Sequence, residues 1–238
     1  MKIALIGYGK MGREIEKVAQ ARGHEIVSRI DIKTNDSFSD SSFKSADVAI
    51  EFSTPETAFD NYLKCFENNI PVVSGTTGWL NKLDLIKQMC SDNNQTFFYA
   101  SNFSVGVNIF FEVNRHLARI MNQMSDYDVS MEEVHHTQKL DAPSGTAITL
   151  AEDIINSIDS KTEWTNSPST RADELSIISK REGMVPGIHT VKYESEVDKI
   201  IIHHSAKSRK GFALGAVLAA ELTKTKSGFL GMKDLLKF

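Results

Sequence analysis

The chain has 238 residues, 41% of them hydrophobic and 24% charged. That is an ordinary globular composition, which excludes a disordered or fibrous protein and leaves room for one large domain or two modest ones. A formal charge of -4 argues against a general nucleic-acid binder, and apolar runs such as Ile3–Ile6 are far shorter than the ~20 residues of a membrane span.

The sequence begins in a short apolar strand, Lys2–Ile6, followed at once by Gly7-Tyr8-Gly9-Lys10-Met11-Gly12. Met11, Ile15, Val18, Ala19 and Arg22 then recur at helical spacing, and Gly23 supplies a stop. Glu25–Ile30 is the next predicted strand, ending at Asp31, and Lys33–Lys44 is a polar connection without periodicity. Asp47–Phe52 reads as a strand, and Pro55 opens a helix with Ala58, Tyr62 and Phe66 on one face. Ile70–Ser74 reads as a strand leading into Gly75-Thr76-Thr77-Gly78. Leu83, Ile86 and Cys90 mark a helix, and Thr96–Tyr99 a strand. Strands alternating with helices predict an α/β fold, a doubly wound, Rossmann-like parallel sheet covered on both faces.

The pattern changes near Asn102. A long helix is predicted from about Val105 to Met124, with Val113, Leu117, Ile120 and Met124 as its apolar face. Asp128–His135 reads as a strand, and Ala147, Leu150, Ala151, Ile154 and Ile158 as an amphipathic helix after Ser144. Val191, Tyr193, Ser195 and Val197 alternate with charged residues, and Asp198-Lys199 turns into Ile200–His203, which predicts a hairpin. These strands predict a second, smaller α+β domain with a mixed sheet. Phe212–Leu222 is a predicted C-terminal helix. The expected division is a dinucleotide-binding domain over residues 1–103, completed by 208–238, and a second domain over 104–207, to which the resemblance described below assigns substrate binding and tetramerisation. Cys65 and Cys90 form no CxxC pair, and no leader-like segment precedes the first strand, so the expected location is the cytoplasm.

Three segments carry chemistry. Gly7–Gly12 fits GxGxxG, in which the first glycine makes the turn, the second admits a pyrophosphate and the third packs helix on strand. A glycine-rich turn without a ligand fits the same letters. Asp31, about twenty residues on, suits a ribose 2′-OH. Lys33 lies close enough to tolerate a 2′-phosphate, so NADH and NADPH both stay open. Gly75, Thr76 and Thr77 follow a strand whose carboxyl end faces the ligand side of such a sheet, or form a solvated turn. The densest segment is Glu132–Ala147, where His135, His136 and Lys139 leave a strand and Ser144, Gly145 and Thr146 begin a helix. Helix N–H groups and an ammonium make a receptacle for a small anion. Surface histidines before an ordinary cap are the plainer alternative. Glu133, His135, His136, His189, His203 and His204 raise the question of a metal, but no HxxxH or CxxC spacing occurs and none is expected.

The run Glu133-Val134-His135-His136-Thr137-Gln138-Lys139-Leu140-Asp141-Ala142-Pro143-Ser144-Gly145-Thr146-Ala147 closely resembles the signature of the 4-hydroxy-tetrahydrodipicolinate reductase (dihydrodipicolinate reductase) family. The resemblance extends to Gly7–Gly12, Gly75–Gly78, Ala100–Asn108 and Gly228–Asp234. It implies an NADH- or NADPH-dependent reductase of the diaminopimelate route to lysine, acting on a small dicarboxylate and assembled as a homotetramer. By that resemblance His135 gives the proton, with Lys139 beside it. His136 and Lys139, with Ser144, Gly145 and Thr146, hold the substrate. Gly7, Tyr8, Gly9, Lys10, Met11, Asp31, Gly75, Thr76 and Thr77 line the cofactor. Ala100, Ser101, Asn102, Phe103, Arg209 and Phe212 match positions near its nicotinamide. Asp31 is not followed by an arginine, and Thr137-Gln138 stands where some relatives are more basic.

Overall fold

A computed structural model describes residues 1–237. The chain forms two compact units, one of Met1–Val105 with Arg209–Phe238 and one of Gly106–Ser208.

The first unit is built on a six-stranded sheet of β1 (Lys2–Ile6), β2 (Glu25–Ile30), β3 (Val48–Glu51), β4 (Val72–Ser74), β5 (Thr96–Tyr99) and β11 (Gly228–Leu230). Its order is β11-β5-β4-β3-β1-β2, with every neighbouring pair parallel. The order reverses between β1 and β3, so the crevice outside their carboxyl ends is where such a sheet takes a ligand. The strands are buried on both faces, which explains their continuous apolar runs. Ile3 and Leu5 join Val48, Ile50, Val73 and Phe98 beneath α1 (Lys10–Ala21) and α7 (Lys210–Leu222). Ala4 and Ile6 join Ala49, Val72 and Phe97 beneath α3 (Pro55–Glu67) and α4 (Leu83–Asp92). On that second face Tyr62, Trp79 and Phe97 meet edge to face with centroids 4.8–5.5 Å apart, each pair adding ~0.5–1.5 kcal/mol beyond its buried area.

The predicted stops hold. α1 ends at Ala21 and Gly23 follows in a left-handed conformation at φ +80°, and Pro55 opens α3. The polar connection carries a single turn of helix, α2 (Ser41–Lys44), around buried Phe43. That turn, β7 (Glu163–Thr165), β11 and α8 (Met232–Leu236) are three to five residues long, too short to show a period.

The second unit has a five-stranded sheet, order β10-β9-β6-β8-β7, from β6 (Asp128–His135), β7, β8 (Glu174–Arg181), β9 (Ile188–Glu194) and β10 (Lys199–Ser205). β6 pairs in parallel with β8 and antiparallel with β9, so the sheet is mixed. Val129, Met131, Leu175, Ile177, Val191 and Tyr193 face a core closed by α5 (Val105–Met121) and α6 (Gly145–Ile155). The predicted face of the long helix is corrected here. α5 buries Val107, Phe110, Asn114, Ala118 and Met121, whereas Val113 and Ile120 are 45% and 47% exposed and Met124 lies beyond the helix end. The true face was hidden because a polar residue sits at its centre: Asn114 Nδ2 donates to the Leu150 carbonyl of α6 at 3.1 Å. The predicted hairpin forms, but its first strand stops at Glu194, and Val197 is an exposed turn residue. Among the described residues no helix is long and apolar enough to cross a membrane.

Candidate active site

In the first unit most of the predicted cofactor residues fall on the loops at the carboxyl ends of the strands, while Lys10 and Met11 open α1 and Arg209 and Phe212 lie at the start of α7. Gly7 follows β1 and Gly9 is the N-cap of α1. Gly7 has φ +86°, and a Cβ there would lie 2.1 Å from the Phe52 carbonyl oxygen after β3, so only glycine brings the two loops this close. A Cβ on Gly9 would meet nothing within 4 Å, and no side chain caps α1. The helix start, flanked by Lys10 and Met11, is therefore open to a phosphate, which is what a dinucleotide requires. Tyr8 N–H donates to Asp31 Oδ2 at 2.7 Å and Lys33 N–H to Oδ1 at 3.1 Å, which fixes the carboxylate at the end of β2. Tyr8 Oη donates to Glu16, whose carboxyl also pairs with Arg29. The Arg29 hydrogen bond holds Glu16 below its ordinary range.

The loops after β4 and β5 divide their residues between the surface and the core. Thr77 is exposed, and Gly75 is half-buried, so close to the Phe52 ring that a Cβ would lie 2.2 Å from it. Thr76 is buried: its hydroxyl donates to Glu51 Oε1 at 2.9 Å and accepts from Ser53 N–H at 2.9 Å. Glu51 is wholly buried and also accepts from Ser74 Oγ, so it ties the loops after β3 and β4 together. Nothing in the local pattern of β3 marks it. Ser101 is exposed, Asn102 Oδ1 accepts from Ser104 N–H, and Ala100 and Phe103 are buried. Arg209 is the N-cap of α7 and Phe212 lies in its first turn; Gly211 there approaches Ser104.

In the second unit the signature run folds back on itself. β6 is central, so its register sets Glu133 opposite His189 of β9 and Ser179 of β8, and His135 opposite Arg181. Glu133 is fully buried. Its Oε1 accepts from Ser144 N–H at 3.1 Å and from Arg181 Nη2 at 3.2 Å. Its Oε2 lies 3.1 Å from His135 Nδ1 and 3.7 Å from His189 Nε2. Arg181 also donates to the carbonyls of Lys139 and Asp141. One buried carboxylate and one guanidinium thus gather His135, Lys139 and the start of α6. Ser144 caps α6, its Oγ accepting from Ala147 N–H at 3.2 Å and lying 3.1 Å from His189 Nε2. Its hydroxyl is therefore committed inside the protein, and Gly145, exposed, and Thr146, half-buried, present the helix start outward. Lys139 Nζ pairs with Asp141 at 2.8 Å, while half-buried His136 sits at the turn where Lys139 N–H donates to its carbonyl. Among these supporting groups Arg181 has no signal in the sequence, His189 shows only as a residue type that holds metals, and Glu133 shows as such a residue type and as the first residue of the signature run.

Burial opposes ionisation of Glu133, but the neighbouring His135 and the hydrogen bond from Ser144 outweigh it and keep the carboxyl well below its ordinary range. Burial pushes His189 down to about 3, the His135 charge adds to the effect, and Glu133 opposes it. Glu133, His135 and His189 have ligand atoms within 4.8 Å of one another. The guanidinium on Glu133 makes that cluster a poor host for a further cation, and it reads as a proton-holding network. The depressed His189 has a consequence for stability. An unfolded histidine binds a proton near pH ~6.5, the folded one only near 3. Between those values the unfolded chain binds more protons, so stability is fully present above ~6.5 and falls as pH drops, by up to ~1.4 kcal/mol per unit. Urea midpoints at pH 7 and pH 5 should differ more for the natural chain than for His189→Gln; equal differences would remove His189 as a source.

Comparison with known proteins follows this geometry. A family model described as dihydrodipicolinate reductase, N-terminus, matches residues 1–103, and one described as dihydrodipicolinate reductase, C-terminus, matches residues 106–236. The chain is 52% identical to a 4-hydroxy-tetrahydrodipicolinate reductase of Christiangramia forsetii, over 99% of this chain and 98% of that one. It is 34% identical to a protein of the same name from Staphylococcus saprophyticus, over 99% and 100% of the two chains. Its fold is similar to that of a dipicolinate-bound dihydrodipicolinate reductase from Paenisporosarcina sp. TG-14, with a TM-score of 0.80, 24% identity and 98% of each chain covered.

Proposed function

The chain belongs to the dihydrodipicolinate reductase family, and we propose that in that family's reaction His135 gives the proton and Lys139, His136, Gly145 and Thr146 hold the substrate. The chain is an NAD(P)H-dependent oxidoreductase. It reduces 4-hydroxy-tetrahydrodipicolinate to tetrahydrodipicolinate with loss of water, in lysine and diaminopimelate biosynthesis. The observation that carries the assignment of roles is the fold-back of the signature run, in which Glu133 Oε1 joins the start of α6 to the strand end that bears His135.

The substrate is a cyclic imine bearing two carboxylates, and loss of its hydroxyl as water leaves a conjugated C=C–C=N system. The reduced nicotinamide, when bound, supplies a hydride. His135 supplies the proton that completes the addition, the role of a general acid. Lys139 exchanges Asp141 for one substrate carboxylate, a point charge suited to that exchange. The backbone N–H groups of Gly145 and Thr146 take the other at the start of α6. In the first unit Gly7, Tyr8, Gly9, Lys10 and Met11 cradle the dinucleotide phosphates and Asp31 takes the ribose. Gly75, Thr76, Thr77, Ala100, Ser101, Asn102, Phe103, Arg209 and Phe212 flank the remainder, with Thr76 serving through its backbone because its side chain is held by Glu51. The proposed domain limits remain residues 1–103 with 208–238, and 104–207.

The same reading makes the protein a cytoplasmic homotetramer joined through the open face of the second sheet. That face carries Ser130, Glu132, Ile178, Thr190 and Lys192, none of them fully buried, and the adjoining Ile201 is 49% exposed. Neither nucleic acid nor membrane is a partner. The test is to supply purified protein with freshly made product of the condensing synthase and follow the absorbance of NADH or NADPH. Loss of absorbance that requires the substrate is expected with at least one of them; none with either would overturn the reading.

A further inference from the structure

We propose that Glu133 is a positioning residue for His135: its Oε2 holds the imidazole proton on Nδ1, so that Nε2 is the atom that delivers the proton to substrate. This rests on the reading of His135 as the proton donor.

The argument starts from how the two oxygens of one carboxylate are used. Oε1 is filled by Ser144 N–H and Arg181 Nη2. Oε2 has neither of these. It lies 3.1 Å from His135 Nδ1, within ion-pair distance, and among the described residues neither atom has a hydrogen-bond partner. The competing imidazole, His189, is farther, at 3.7 Å from Oε2, and its Nε2 already lies 3.1 Å from Ser144 Oγ. A buried anion facing an otherwise unpartnered ring nitrogen favours a proton there. The opposite edge of the His135 ring is kept clear by the absence of a side chain: a Cβ on Gly187 would lie 3.1 Å from Nε2. One edge of the ring is thus anchored to a charge and the other is left accessible. After Nε2 gives up its proton, the ring that remains is the neutral Nδ1–H form, the tautomer Oε2 stabilises over the Nε2–H form, so the anchor sets which nitrogen delivers the proton.

The isosteric change Glu133→Gln tests this sharply. The two donors at the Oε1 position require an acceptor, so the Gln carbonyl occupies that place. Its NH2 then stands where Oε2 was and donates to His135 Nδ1. That reverses the tautomer and opposes protonation at Nδ1. The imidazole 15N shifts of histidine-labelled protein, assigned by loss of the His135 signal in His135→Gln, should show the Nδ1–H form in the natural chain at alkaline pH. They should show the Nε2–H form in Glu133→Gln. Turnover should fall ~100-fold with substrate KM within about threefold, the size of a lost general acid rather than a lost fold. An Nε2–H ring in the natural chain would overturn the proposal even if the variant does not fold, and so would an unchanged tautomer in Glu133→Gln. Should the tautomer switch while His135→Gln turns over normally, the donor reading is what fails.

Discussion

His135→Gln should lower kcat by ~10²–10⁴-fold and leave the substrate KM within a few-fold of its natural value. Gln fills a similar volume and keeps a polar end, so the buried pocket beside Glu133 is not emptied. What it lacks is an ionisable group able to give a proton. A general acid acts in the transition state, where charge is developing, so its loss falls on turnover rather than on binding. The position supports that separation. His135 ends β6 with its neighbours fixed by strand register, whereas of the groups proposed to grip substrate only His136 adjoins it, the others lying at Lys139 and at the start of α6. Stopped-flow or steady-state traces of dinucleotide oxidation decide it, and an unaltered kcat removes the imidazole from the chemistry.

Lys139→Ala should reduce kcat/KM by ~2–5 kcal/mol, the cost of leaving a bound carboxylate without its charged partner. The structure indicates where that loss will appear. Lys139 is paired with Asp141, whose side chain is 60% exposed. Losing an ammonium from so wet a carboxylate costs the fold ~0–1 kcal/mol. Thermal midpoints of variant and parent should therefore nearly coincide while their kinetics separate. If kcat/KM is unchanged, the side chain belongs to the protein surface and the substrate is held elsewhere.

The parts of this molecule that could be read from its letters are those whose signal is local. The run Ile3–Ile6 and the glycines after it declare a buried strand and a tight turn because both features lie within a dozen residues. Pro55 and Gly23 declare helix ends for the same reason. The face of α5 was misread because Asn114 looks like a surface residue until the Leu150 carbonyl is placed opposite it. Thr76 looks like its neighbours until Glu51 is seen beneath it. The signature run gave His135 and Lys139, but Arg181 reaches the same carboxylate only through the pairing of β6 with β8. Strand register is a non-local property, so a short window of sequence does not contain it.

The nucleotide-type sheet is assembled from both ends of the polypeptide. α7 lies over β3 and β4 with Gly215 pressed so close to the Phe103 carbonyl that a Cβ would sit 1.8 Å from its oxygen, and β11 pairs with β5. A ribosome therefore delivers the first ~105 residues long before the helix that covers one side of them exists. Until that helix emerges, the part of this face that it covers, at Val48, Ile50 and Val73, meets solvent or whatever shields nascent chains. The inserted unit is complete in sequence by then, so the expected order of maturation runs from the inserted unit to the sheet that flanks it.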